Sequence, residues 1–173
     1  MGGQHVAYRN KVYVCFDGDN DIKYYRLMQA WKQNDNVPFN FYDAHSLNTA
    51  RDTSLEESIK RQLRERLQNT KIFTVLLGER TRFLRKFVRW ELEQAIKLKL
   101  PIVVVNLNGL RKQDLALCPP IIRDELAIHI SFNARILQYA LERWPETHRE
   151  LRSHGKSGAY YYPQSLYTKL GIK

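Results

Sequence analysis

The chain has 173 residues, of which 43% are hydrophobic, 27% charged and 12% aromatic, a balance that predicts one soluble globular domain with a sizeable core. Its longest apolar run, Leu100 to Val105, falls far short of the ~20 residues a membrane-crossing helix needs, so no transmembrane helix and no membrane partner are expected. The 28 Lys+Arg against 18 Asp+Glu give a formal charge of +10, which attracts polyanions such as nucleic acid, acidic lipid or a phosphorylated small molecule without choosing among them.

The opening residues Met1 to Val6 carry no apolar segment of the signal-peptide kind, and Val6 stands where a myristoylation motif needs Ser or Thr, so a cytoplasmic location is expected. Cys15 and Cys118 form neither a C-x-x-C pair nor a disulfide framework, and both are expected to be reduced.

In chain order, Lys11 to Phe16 is rich in strand formers and stops at Asp17-Gly18-Asp19-Asn20-Asp21, a cluster of turn and N-cap residues. Ile22, Tyr25, Leu27, Met28 and Trp31 mark a helix to about Gln33, and Phe39 to Tyr42 reads as a second strand. A polar loop runs from Asp43 to Asp52. Thr53 or Ser54 then offers a capping box to a helix whose Leu55, Ile59, Leu63 and Leu67 form one buried stripe. Lys71 to Leu77 is a buried strand ending at Gly78, and a basic loop leads to a helix over about Arg85 to Lys99. Pro101 to Val105 is a fourth strand, Pro119-Pro120 opens a short helix to Leu126, and Ala127 to Phe132 reads as a fifth strand before a helix over Ala134 to Arg143.

This alternation predicts a doubly wound parallel sheet of about five strands in the flavodoxin-like order 2-1-3-4-5, with helices on both faces. Residues 1–10 read as an N-terminal extension, 11–143 as the α/β domain and 144–173 as a basic C-terminal extension containing Tyr160-Tyr161-Tyr162 and Tyr167.

Ligand devices common to such sheets are missing. No G-x-G-x-x-G follows the first strand. Gly155-Lys156-Ser157 resembles the end of a phosphate-binding loop, but Glu150 occupies the first glycine's place and no strand precedes it. The five histidines and two cysteines show no metal-ligand spacing, so no metal is expected. A phospho-receiver would present its acceptor Asp where this chain has Leu77-Gly78.

The informative segment is Phe87-Val88-Arg89-Trp90-Glu91-Leu92. At 100° per residue, Val88, Leu92, Ala95 and Ile96 share a buried face with Glu91 at its border. The bland reading pairs Glu91 with Arg85, Arg89 or Lys71; the functional one holds a desolvated carboxylate ready for a sugar hydroxyl or a developing cation.

Val-Tyr-Val-Cys-Phe-Asp at 12–17, Phe-Tyr-Asp-Ala at 41–44, Thr-Val-Leu-Leu-Gly at 74–78 and Phe-Val-Arg-Trp-Glu-Leu at 87–92 resemble, in that order, the TIR-like family that includes the Thoeris anti-phage proteins. The resemblance covers about residues 11 to 110. It implies a flavodoxin-like fold and, from the enzymatic members, cleavage of the nicotinamide bond of NAD to make an ADP-ribose-derived signal for a downstream effector. Glu91 falls on the family's catalytic glutamate, with Phe87 and Val88 in place of the W-C that precedes it there; the first strand ends Cys15-Phe16-Asp17 where the family places a small polar residue and often a His. NAD would be the substrate, with no separate cofactor.

Glycosidic cleavage passes through an oxocarbenium-like state that a carboxylate stabilises. Backbone N–H groups near Asp21 and the cations Arg80, Arg82, Arg85 and Lys86 suit a pyrophosphate, and Phe16, Tyr24 or Tyr42 could stack on a ring. Asp17, Asp43, His45 and Phe87 complete the candidate substrate contacts, with Asp17, His45 and Glu91 expected along one cleft at the carboxyl ends of the strands. Two other functions fit less of the sequence: a catalytically silent TIR-like module that senses or scaffolds by self-association, and a nucleic-acid binder resting on the net charge and the basic tail.

Overall fold

The structure is a computed structural model that describes residues 12–33, 41–42 and 56–173, with the backbone alone for Phe41 and Tyr42. The expected N-terminal extension, the loop bearing Asp43 and His45, and the capping box at Thr53 or Ser54 lie outside the described residues.

The described strands are β1 (Val12–Cys15), β2 (Phe41–Tyr42), β3 (Ile72–Leu77), β4 (Ile102–Asn106), β5 (Ala127–Ser131) and β6 (Ala159–Tyr161). They form one sheet in the order β2-β1-β3-β4-β5-β6, and every neighbouring pair runs parallel. The order 2-1-3-4-5 is therefore present, and the tail adds a sixth strand that the sequence reading did not assign.

Side-chain alternation along each strand feeds two separate cores, one per face of the sheet. Val12, Val14, Leu76, Val103 and Ile128 bury against Tyr25 and Met28 of α1 (Ile22–Gln33) and against Ile136, Leu137 and Trp144 of α4 (Ala134–Ser153). Tyr13, Cys15, Phe73, Val75 and Val104 bury against Ile59, Leu63 and Leu67 of α2 (Glu56–Gln68) and against Val88, Leu92 and Ala95 of α3 (Val88–Lys97). α2 forms because its apolar residues repeat every fourth position while Glu56 and Glu57 sit in its first turn, where the helix dipole favours them.

Three boundaries differ from expectation. α3 starts at Val88 rather than Arg85, because the chain first makes a 3₁₀ turn over Thr81–Phe83, anchored where Gly78 N–H donates to the Thr81 hydroxyl at 2.9 Å. The segment opened by Pro119-Pro120 is a single 3₁₀ turn, Pro120–Ile122. α4 does not stop at Arg143 but passes through Pro145 to Ser153. Proline donates no backbone N–H and disfavours a helix interior, yet the buried stripe continues past it from Leu141 and Trp144 to His148, and that burial outweighs the loss. The tail then closes on the domain through β6 and α5 (Gln164–Lys169), with Tyr167 fully buried in the first core.

Candidate functional site

Loops following β1, β3 and β4 meet at the carboxyl ends of the strands. The seam between β1 and β3 is where the strand order reverses, the place where doubly wound sheets bind ligands. Two of the clefts among the described residues border the loop after β1.

The smaller, about 160 Å³, lies between the loop after β1 and the approach to α3, and is lined by Phe16, Asp17, Arg85, Lys86, Phe87 and Val88 among others. Its lining ends at Val88, one turn before Glu91. The larger, about 460 Å³, is walled by Asn20, Asp21, Lys23, Tyr24, Gly78 and Arg80 among others. The expected substrate contacts are thus divided: Phe16, Asp17 and Phe87 go to the first cleft, Asp21 and Tyr24 to the second.

Glu91 itself is not at the border of the buried face but inside it, 1% exposed. Val88, Glu91, Leu92 and Ala95 follow the spacing i, i+3, i+4, i+7, so α3 is rolled to centre its stripe between Glu91 and Leu92 and leaves Ile96 half-buried. A carboxylate tolerates that position because it is bonded there: the Tyr13 hydroxyl donates to Oε2 at 2.9 Å. Cys15, two residues along β1 on the same face, also turns its thiol to Glu91. Burial, then the Glu91 charge, pushes both the Tyr13 phenol and the Cys15 thiol well above their ordinary values, so both stay protonated and able to donate. Arg89, one of the cations weighed as a partner for Glu91, instead pairs with Glu93 at 3.1 Å, one turn on along the exposed face.

Asp17 is 2% exposed, and the loop it belongs to uses its carboxylate. Oδ1 accepts from the N–H groups of Asp19 at 3.1 Å and Asn20 at 3.3 Å, and Oδ2 accepts from the Asn20 side chain at 2.7 Å. This fixes the turn that starts α1, so Asp17 shapes the cleft rather than offering it a free carboxylate. The Phe16 ring stacks on Tyr25, with centroids 4.8 Å apart, inside the first core. Its role at the cleft is that of a wall. Phe87 is also buried, with the Lys86 ammonium 5.6 Å from its ring centroid, and Lys86 reaches Glu56 at 3.6 Å. Tyr24 is half-buried and meets Phe132 edge-on at 5.1 Å.

The four cations do not act as one group. Arg80 borders the larger cleft and Arg82 lies over the exposed Phe83 ring at 4.6 Å, while Arg85 and Lys86 border the smaller cleft. Tyr42 contributes backbone pairing opposite Tyr13, and its side chain lies outside the described residues, as do Asp43 and His45. Among the described residues no group of His, Cys, Asp and Glu is arranged to hold a metal ion, and no helix is long and apolar enough to cross a membrane.

Sequence reasoning missed Tyr13 and Gly78. Tyr13 could have been found from its register: on a strand buried on both faces it is the one hydroxyl in an apolar run, and a buried hydroxyl needs a partner. Gly78 is recognisable only in three dimensions, since a Cβ there would collide with the Asp21 carboxylate.

A parallel sheet ordered 2-1-3-4-5, α-helices on both faces and a glutamate on the first turn of the helix after β3 together define a TIR-like domain of flavodoxin-like architecture. The family model for the Thoeris protein ThsB, TIR-like domain, matches residues 13–112, and the chain belongs to that family. The matched region runs from Tyr13 in β1 past the end of β4 and includes Glu91, the smaller cleft and all of the larger cleft's lining except Leu117. Membership places the chain in the context of anti-phage defence.

Proposed function

We propose that the protein consumes NAD, breaking the bond between the nicotinamide nitrogen and the ribose and passing the ADP-ribosyl group to water or to a hydroxyl of the same molecule. The observation that carries this reading is Glu91. It stands at the position of the family's catalytic glutamate, on the first turn of α3, one turn beyond the Phe87–Val88 wall of the smaller cleft. As the glycosidic bond breaks, its electron pair leaves with nicotinamide and positive charge develops on the ribose; a carboxylate in a water-poor setting opposes that charge strongly. Lys86 and Arg85 at the cleft supply cations for the pyrophosphate. The product would serve as an ADP-ribose-derived signal to a downstream effector.

A second reading is favoured by the same carboxylate's burial. At 1% exposure and bonded to Tyr13, Glu91 also has the surroundings of a structural glutamate, which suits a silent module acting by self-association.

Incubation of the purified chain with NAD, over a range of protein concentrations and with nicotinamide measured by chromatography, separates the two. Release that disappears in Glu91→Gln supports the enzyme. No release at any concentration, in a chain that nevertheless self-associates, supports the silent module.

A further inference from the structure

The carboxylate on which the NAD reading rests is held by a neighbour that is itself out of reach of substrate. Tyr13 is fully buried on β1, a strand pinned between β2 and β3, and its ring stacks on Phe73 with centroids 5.4 Å apart. Strand pairing and stacking together lock the ring, and the ring aims its hydroxyl at Oε2 of Glu91, 2.9 Å away. Cys15 turns its thiol to Glu91 from the same face, but a thiol is a weaker donor than a phenol.

We infer that Tyr13 is the positioning residue of this site: its hydroxyl holds the Glu91 carboxylate ionised and fixed against β1 inside the second core. The inference rests on the reading of Glu91 as the group that opposes positive charge on the ribose. Burial penalises the charged form of a carboxylate, and a donor bonded to that form offsets the penalty. A phenol suits the task because it is neutral, so it satisfies a lone pair without bringing a charge that cancels the carboxylate's own. Burial and the Glu91 charge keep the phenol protonated, and Arg66 of α2 acts on it in the opposite sense as the smallest influence. Arg89 and Glu93, on α3 itself, pair with each other on the exposed face. Among the described residues, β3 brings Phe73, Val75 and Leu77 to this core and the Pro120–Ile122 turn brings Ile122, none of them titratable.

The test follows the Glu91 carboxyl directly, by carbon-detected NMR titration of the full chain labelled at its glutamate side-chain carboxyls, the Glu91 signal being identified by its absence in Glu91→Gln. In Tyr13→Phe its midpoint should rise by about one pH unit or more. Placing 3-fluorotyrosine at position 13, a stronger donor of nearly the same shape, should move it the other way. Nicotinamide release should follow: in Tyr13→Phe the acid limb of kcat moves up by the same amount while KM stays, since Tyr13 does not touch NAD. Where Tyr13→Phe does not fold, the fluorotyrosine chain decides alone. The inference is overturned by a Glu91 midpoint unmoved in either folded variant, or by release that falls by one factor at every pH, as a merely structural bond would give. No release from the unaltered chain, with a midpoint that shifts as stated, refutes the NAD reading and leaves the hold of Tyr13 on Glu91 standing.

Discussion

The hydroxyl of Tyr13 donates a 2.9 Å hydrogen bond to Oε2 of Glu91, tying the first strand to the first turn of α3. Both groups are buried, so each would be costly to leave alone. Tyr13→Phe removes the donor and keeps the ring that stacks on Phe73. It should lower stability by about 1–3 kcal/mol in urea unfolding. In a double-mutant cycle with Glu91→Leu, which removes the acceptor, the losses should fail to add by about 0.5 kcal/mol or more, since one bond is being removed twice. Additive losses would show that the contact contributes nothing.

Glu91→Gln retains the shape and an oxygen able to accept from Tyr13 while removing the charge. If the carboxylate stabilises a cationic ribose, nicotinamide release should fall about a hundredfold, on the order of 3 kcal/mol of transition-state stabilisation, with a melting temperature close to that of the unaltered chain. Calorimetry and turnover measured on the same preparations check both halves.

The order of the strands was legible because each of β1, β3, β4 and β5 is a short run of β-branched and aromatic residues bounded by turn formers, and these runs alternate with helical periodicity. Val14, Phe73, Val75, Val103 and Val105, read from the sequence as core, are all fully buried. The site was less legible. Periodicity places Glu91 near the buried face, but its carboxylate is accommodated inside that face through the long-range bond to Tyr13, which no local pattern encodes. The loop after β1 was read as a source of substrate contacts, whereas Asp17 is occupied by the amides of its own turn and Phe16 by Tyr25. The end of α4 was misplaced for a related reason: a proline after Trp144 signals a helix end locally, and only the core beneath Trp144 and His148 overrides it.

His129 on β5 is fully buried, and neither ring nitrogen has a hydrogen-bond partner. Burial lowers its pKa to about 4. The unfolded chain takes up a proton near pH 6.5 and the folded chain does so only near 4, so this residue costs no stability above pH 6.5. As pH falls from 6.5 to 4, stability should drop by about 3 kcal/mol on account of His129. Urea midpoints measured across that range should show the fall, and His129→Leu should remove the His129 share of it. His148, also buried and lowered to about 4, adds a loss of the same sign.

Trp144, 1% exposed, lies beyond the point where the sequence suggested the domain ended. Trp144→Ala should cost about 3–5 kcal/mol. Removal of residues 154–173 should be comparably severe, since it strips β6, the buried Tyr167 and the Arg111 contacts to Gln164 and the Lys173 carbonyl at 2.7 Å. Thermal melts of both variants check this, and a truncated chain as stable as the full one would show the tail to be dispensable.

β5 is an apolar strand whose backbone, in a five-stranded sheet, would face outward as a template for another chain. β6 occupies that edge over Ala127 to His129 with a strand of only three residues, ending in the exposed Tyr161. An edge of only three residues is a poor seed for strand addition. The tail thus protects the sheet against edge-to-edge aggregation on that side, leaving loops and helix surfaces as the places where copies of this chain can meet.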